Sequence, residues 1–252
     1  MAQITPPVQL KQQTLNSFSS YVRDAEAVME QSLGNDRQFL WSDINPERVQ
    51  RVRGGEVLAQ FWSGHGPVKV PDGLIHDWIG ASCIPGATVK DVLALVQDYD
   101  NHKNIYKPEV IASRLISHRD NEFQIYLRLL KKKLVTVVLD TDHEVHYRSL
   151  DRERWVCDSH TTRISEVERA GSPKERVLPP DTGAGYLWRL YSYWRFRERE
   201  GSTFLECRAI SLTRDVPTGL GWIIEPIIQK LPKESLINTL KATRHALLAQ
   251  AR

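Results

Sequence analysis

The chain has 252 residues, of which 41% are apolar and 26% charged, the mixture of a globular protein that buries one sizeable core. A net charge of +3 is small beside 34 basic and 31 acidic side chains, so no single-sign field points to nucleic acid as a partner. No run approaches the ~20 uninterrupted apolar residues that a membrane-spanning helix needs, and residues 1 to 7 lack the basic region and apolar run of a signal peptide.

Leu15, Phe18, Val22, Ala25 and Met29 recur at three- and four-residue steps, and Gly34 follows as a stop, which predicts an amphipathic helix over 8–33. Glu56 to Trp62 suits a strand, and Gly64, Gly66, Pro67, Pro71 and Gly73 punctuate a loop. Residues 1–73 therefore read as an N-terminal extension packed on a main domain over 74–252. Leu74 to Ile84 predicts a strand broken by Pro85 and Gly86, after which Thr88 caps a helix through Val89, Val92, Leu93 and Val96. Strand-like segments then run in series: Val110 to Ser117, Glu122 to Leu130, Leu134 to Tyr147, Arg154 to Glu166, Tyr186 to Glu198 and Thr203 to Thr213. Such a series favours an antiparallel sheet and an α+β fold. Asp120-Asn121 and Arg199 to Gly201 read as hairpin turns, and the Pro- and Gly-rich Gly171 to Gly185 as a longer loop, a candidate lid. Leu236, Leu240, Thr243 and Leu247 form the stripe of a last helix, with Pro226 and Pro232 marking where it bends or begins.

Three stretches carry a family resemblance: IHDWIGASCIPGATVKDVLALVQDYDNHKNIYKPEV from Ile75 to Val110, SLTRDVP from Ser211 to Pro217, and the run Ile223 to Leu248. Within them Ile84-Pro85, Asp98 and Tyr106 to Pro108 fit the pattern of the START-like superfamily, also called SRPBCC, which the chain resembles over roughly its last 70%. The resemblance implies a helix-grip fold, in which a curved antiparallel sheet wraps around a long C-terminal helix. It also implies an internal cavity. Members of that superfamily include lipid carriers, hormone receptors, polyketide aromatases and cyclases, and oxygenase subunits, so the fold alone names no reaction.

Alternation along each strand divides its side chains between two faces. The apolar rows Phe123, Ile125, Leu127, Leu129; Val135, Val137, Leu139, Thr141, His143, Val145; and Trp188, Leu190, Ser192, Trp194, Phe196 are assigned inward. From these rows, together with Trp78 and Tyr106, the expected ligand contacts are Trp78, Tyr106, Phe123, Ile125, Leu127, Val137, Leu139, Thr141, His143, Trp188, Leu190, Ser192 and Trp194. The same rows also suit plain packing against the last helix.

His143 is the one candidate for a general acid or base, because an imidazole titrates near neutral pH and an apolar pocket shifts it. A hydrogen-bonded structural histidine is the alternative, with Thr141 as its neighbour. Asp140, Asp142, Glu144 and His146 carry metal-ligand atoms, yet a two-residue spacing equally describes a solvated strand face, and neither a metal nor a cofactor is expected. Cys157 and His160 fall on opposite strand faces, which argues against a nucleophile and base pair. Cys83, Cys157 and Cys207 lack a close-spaced pair and read as reduced core thiols. Asp181-Thr182-Gly183 stands in a loop without the apolar strand that an aspartic-protease carboxylate needs. Lys131 to Lys133 is either a solvated hairpin end or a contact for anionic headgroups. Trp222, Ile223, Ile224, Ile227 and Ile228 form either ordinary core or an apolar mouth that touches a membrane transiently.

The leading expectation is a protein that binds or transports a small hydrophobic ligand, lipid-like or aromatic. The alternatives are an aromatase- or cyclase-type enzyme acting in the same cavity, and an interaction module whose cavity is filled by side chains. The compartment is not legible, cytoplasm being the default and export compatible with a trimmed N-terminus.

Overall fold

The computed structural model describes residues 7–35, 38–132, 136–215 and 221–250, the last segment by backbone alone up to residue 230. Val135, Lys133, Pro217 and the side chains of Trp222, Ile223, Ile224, Ile227 and Ile228, all singled out from the sequence, lie outside that description.

The first helix, α1, spans Gln12–Leu33 rather than beginning at residue 8. Val8–Gln9 is instead a short strand, β1, that pairs antiparallel with β10 at Thr182–Gly183. Pro7, with no N–H to donate, suits an extended entry, and the turn of helix starts only at Lys11, whose backbone is extended. A helix not read from the sequence, α2, spans Pro46–Arg53. Its start signal is nevertheless complete, with Pro46 in the first turn and the Asn45 side chain accepting from the Glu47 N–H.

Strands β2 (Leu58–Phe61), β3 (Val68–Val70) and β4 (Gly73–Pro85) precede helix α3 (Val89–Val96) and the short α4 (His102–Ile105). Thr88 and Asp91 cap α3 reciprocally, side chain to backbone in both directions. Five long strands follow, β5 (Val110–Arg119), β6 (Glu122–Lys132), β7 (Thr136–Ser149), β8 (Arg154–Glu168) and, after the two-residue β9 (Arg176–Val177) and β10, β11 (Arg189–Arg199). Then come β12 (Ser202–Arg214) and α5 (Gly221–Gln250), whose backbone runs helically through both Pro226 and Pro232. The antiparallel sheet is ordered β2-β4-β12-β11-β8-β7-β6-β5, with β3 beside β4 and β9 beside β8. Positive φ at Asp120 and at the Glu200-Gly201 pair closes the two tight hairpins expected from the sequence.

The curved sheet packs α5 against one face and α1 against the other. On the inner face Trp78, Ile84, Val92, Leu205, Leu236 and Leu240 make one cluster. Gly80 allows the close approach of α5, since a Cβ there would stand 2.7 Å from Leu240 Cδ1. On the outer face Phe18, Val22 and Ala25 of α1 pack on Ile75, Trp188, Ile210 and Leu212. Phe39, Leu40, Trp41 and Val52 cover Ile79, Ala81, Cys83 and Phe204. At ~1.5–3 kcal/mol for each large side chain buried, both faces contribute substantially.

The outer face also carries a polar layer beneath α1 and its continuation. Arg208 forks onto Asp77 at 2.9 and 2.6 Å, both side chains nearly fully buried, and the Tyr21 hydroxyl donates to the same carboxylate at 2.7 Å. Glu206 accepts from the N–H groups of Trp41 and Ser42 and from the Ser42 hydroxyl. Arg195 donates to the carbonyls of Phe39 and Met29. Arg195, from the row opposite Trp194 and Phe196, thus helps to hold the N-terminal segment.

Candidate functional site

Between the inner face and α5 lies a cavity of about 350 Å³. Its walls come from β6 (Ile125, Leu127, Leu129), β7 (Val137, Leu139, His143, Val145), β11 (Leu190, Ser192, Trp194, Phe196) and α5 (Leu236, Thr239, Ala242). Period-two alternation puts these side chains on one face, and the lining is predominantly apolar, as expected of a ligand pocket of this size. Of the residues expected at a ligand, Tyr106, Ile125, Leu127, Val137, Leu139, His143, Leu190, Ser192 and Trp194 line this space.

The other four sit elsewhere. Trp78 and Phe123 are buried in the inner core cluster, where Trp78 stacks against Phe61 and Phe123 packs between Tyr99 and Tyr147. Thr141 lies behind His143, its hydroxyl donating to the Leu127 carbonyl at 3.0 Å. Trp188 turns to the outer face and packs with Phe18 and Ile210. It precedes the first residue of β11, so the strand's alternation does not bind it.

Several lining residues were not read from the sequence. Tyr99, His102, Tyr147, Cys157, Ser159 and Cys207 reach the cavity from α3–α4, β7, β8 and β12. For the β8 and β12 residues the odd-numbered rows carried the signal, but each row mixes small, polar and apolar groups. Tyr147 and Tyr99 join through their hydroxyls at 3.0 Å, and burial pushes the Tyr147 phenol well above its ordinary range. Burial likewise raises the Cys157 and Cys207 thiols, which keeps them protonated and poor nucleophiles.

One rim of the cavity is polar. Lys131 pairs with Glu109, which also accepts from Asn238 Nδ2 at 2.7 Å, and Lys107 stands beside them exposed. Lys131 is therefore engaged in an ion pair at the rim, while Lys132 is exposed. Tyr186 and Leu187 form another part of the rim. They follow the Gly171 to Gly185 segment, which the structure holds at several points: β9 pairs with β8, β10 with β1, Asp181 with Arg189, and Glu166 accepts from the N–H groups of Ala184 and Gly185. The Asp181 carboxylate is thus an ion-pair partner of a guanidinium.

His143 is buried, and burial depresses its imidazole to about 4, so the ring is neutral at physiological pH. Nε2 lies 2.9 Å from Thr141 Oγ1, and the Ser159 hydroxyl lies 3.4 Å from Nδ1. His160, by contrast, points to the outer face and stacks on Tyr191. Asp140 is bound by Arg128 and Tyr126, and Asp142 by Arg163, so guanidinium groups hold two of the three carboxylates of that row. No helix among the described residues is long and apolar enough to cross a membrane.

No protein-family model matches the chain, and no curated protein does. Solved structures do resemble it. The Zhui aromatase/cyclase from Streptomyces sp. R1128 is 10% identical, with 71% of this chain and 96% of that one aligned at a TM-score of 0.50. A fragment of the STAR-related lipid transfer protein from Xanthomonas axonopodis is 16% identical over 73% of this chain and 99% of its own, with a TM-score of 0.49. A START superfamily protein from Mycobacterium smegmatis is 12% identical over 68% and 98%, with a TM-score of 0.43. At such identities the likeness concerns architecture alone, and with the sheet, the gripping helix and the strand order on the page, the chain has a helix-grip fold, similar in architecture to the Zhui structure.

Proposed function

We propose that this protein binds a small hydrophobic molecule, lipid-like or aromatic, in the cavity between sheet and α5, and carries it. The observation behind this reading is the space itself: about 350 Å³ walled by Ile125, Leu127, Leu139, Leu190 and Trp194, which no packing requirement of α5 calls for. The surface it presents is mostly apolar, so affinity would come from apolar burial and selectivity from the polar groups that reach that surface. Native mass spectrometry of the purified protein followed by organic extraction tests it. A stoichiometric apolar molecule released on denaturation is the expected result; an empty protein that also fails to take up 2-methylnaphthalene would refute it.

A second reading, an aromatase- or cyclase-type enzyme, is supported by the neutral His143 imidazole on the cavity wall. It predicts that His143→Ala abolishes turnover of a cavity-bound polyketide-like substrate while leaving the fold intact. Unchanged turnover in that variant removes His143 from the chemistry.

A further inference from the structure

We infer that the cavity recognises a neutral hydroxyl group on its apolar ligand, through His143 Nδ1 and the Ser159 hydroxyl acting together; this rests on the ligand-binding reading and names the chemistry that ligand would carry.

The assignment follows from counting donors. Thr141 has one hydroxyl proton, and its geometry spends that proton on the Leu127 carbonyl at 3.0 Å. Toward His143 Nε2, 2.9 Å away, Thr141 Oγ1 can therefore only accept, so the ring proton sits on Nε2. A neutral imidazole protonated there leaves Nδ1 as a bare acceptor. Ser159 faces that atom at 3.4 Å, at the long limit for a hydrogen bond. The backbone explains the looseness: β7 and β8 change register between Asp142 and His143, leaving Ser159 opposite Val145 and diagonal to His143.

Both groups line the cavity, and Ser192, directly across from Ser159 in the ladder with β11, lines it as well. A short polar stripe therefore crosses β7, β8 and β11 where they face the cavity. Its groups suit a hydroxyl. A ligand O–H donates to Nδ1 and its oxygen accepts from Ser159, replacing one poor bond by two good ones. A carboxylate or phosphate has no proton for Nδ1, and its charge would be stranded in apolar surroundings. An ammonium meets the same cost of burial without a partnering carboxylate on the stripe.

A matched pair of probes tests the inference. Affinities of 2-naphthol and 2-methylnaphthalene are measured by Trp fluorescence for wild type, Ser159→Ala and His143→Phe, and each protein is scored by its naphthol-to-methylnaphthalene affinity ratio. The methyl probe cancels changes of cavity shape and the difference in hydrophobicity. We expect that ratio to fall about fivefold in Ser159→Ala and by a similar factor in His143→Phe, the size expected of one lost neutral hydrogen bond in each. Ser159→Ala removes only an oxygen, so it reports even if the larger replacement disturbs folding. A ratio that stays within twofold of wild type in Ser159→Ala, with both probes still bound, overturns the hydroxyl assignment and leaves the cavity reading standing. Binding of neither probe to wild type overturns both.

Discussion

Removing the Asp77 carboxylate offers a direct measure of how the N-terminal segment is held. Arg208 and Asp77 are 4% and 5% exposed, joined by two charge-assisted bonds, with Arg208 also 4.1 Å over the Trp62 ring. Asp77→Ala leaves a guanidinium in a dry layer with its main partner gone, which costs on the order of 3–5 kcal/mol. At ~2–4 °C per kcal/mol for a chain of this length, the melting temperature should fall by on the order of 10 °C. Urea denaturation followed by circular dichroism gives the free energy. The double variant Asp77→Ala/Arg208→Met removes both charges and should recover much of the loss, because the cost lies in the orphaned charge and not in the pair's own worth. A single-variant loss below about 1 kcal/mol, or a double variant no more stable than the single, would refute this account of the buried layer.

Filling the cavity should separate binding from folding: Ala209→Phe places a ring in the space beside Ser192 and should weaken 2-methylnaphthalene more than tenfold at little change in the urea midpoint. Glu206 gives a pH dependence. Burial, partly offset by its hydrogen bonds to Trp41 and Ser42, raises its pKa from an ordinary 4.5 to about 7. The folded state then holds a proton that the unfolded state has released between those values, so stability should fall as pH rises from about 4.5 to 7, and Glu206→Gln should flatten that slope in thermal melts. Gly183 has φ near +130°, and a Cβ there would stand 2.5 Å from Glu166 Oε2. Gly183→Ala should therefore cost ~1–3 kcal/mol and speed amide exchange at Ala184 and Gly185, whose N–H groups Glu166 holds.

Much of the sheet was legible because long antiparallel strands with one apolar face write their period into the chain. The Leu190, Ser192, Trp194 row reads directly, and it lines the cavity. Alternation fails where its premise fails. Trp188 lies just outside the ladder and takes its direction from the α1 cluster. Thr141 shares a face with His143, but its hydroxyl is spent on the Leu127 carbonyl and the His143 ring rather than on the cavity. The polar layer under α1 was illegible for a different reason. Asp77 and Arg208 are 131 positions apart, and Tyr193 meets Glu26 across 167, so no local spacing announces either pair. In sequence, Arg195 and Arg197 are indistinguishable from the residues of a wet strand face.

Pairing between the two ends of the sequence also sets an order of events during synthesis. Helix α1 leaves the ribosome well before the surface it lies on is complete, since that surface includes Trp188, Ile210 and Leu212. At ~5–20 residues per second, the chain needs on the order of ten seconds or more to reach Leu212 after α1 has been made. Throughout that interval Phe18, Val22 and Ala25 have no completed seat, and the nascent chain presents the apolar stripe of the helix uncovered. Helix α1 is thus covered only after segments made much later have arrived.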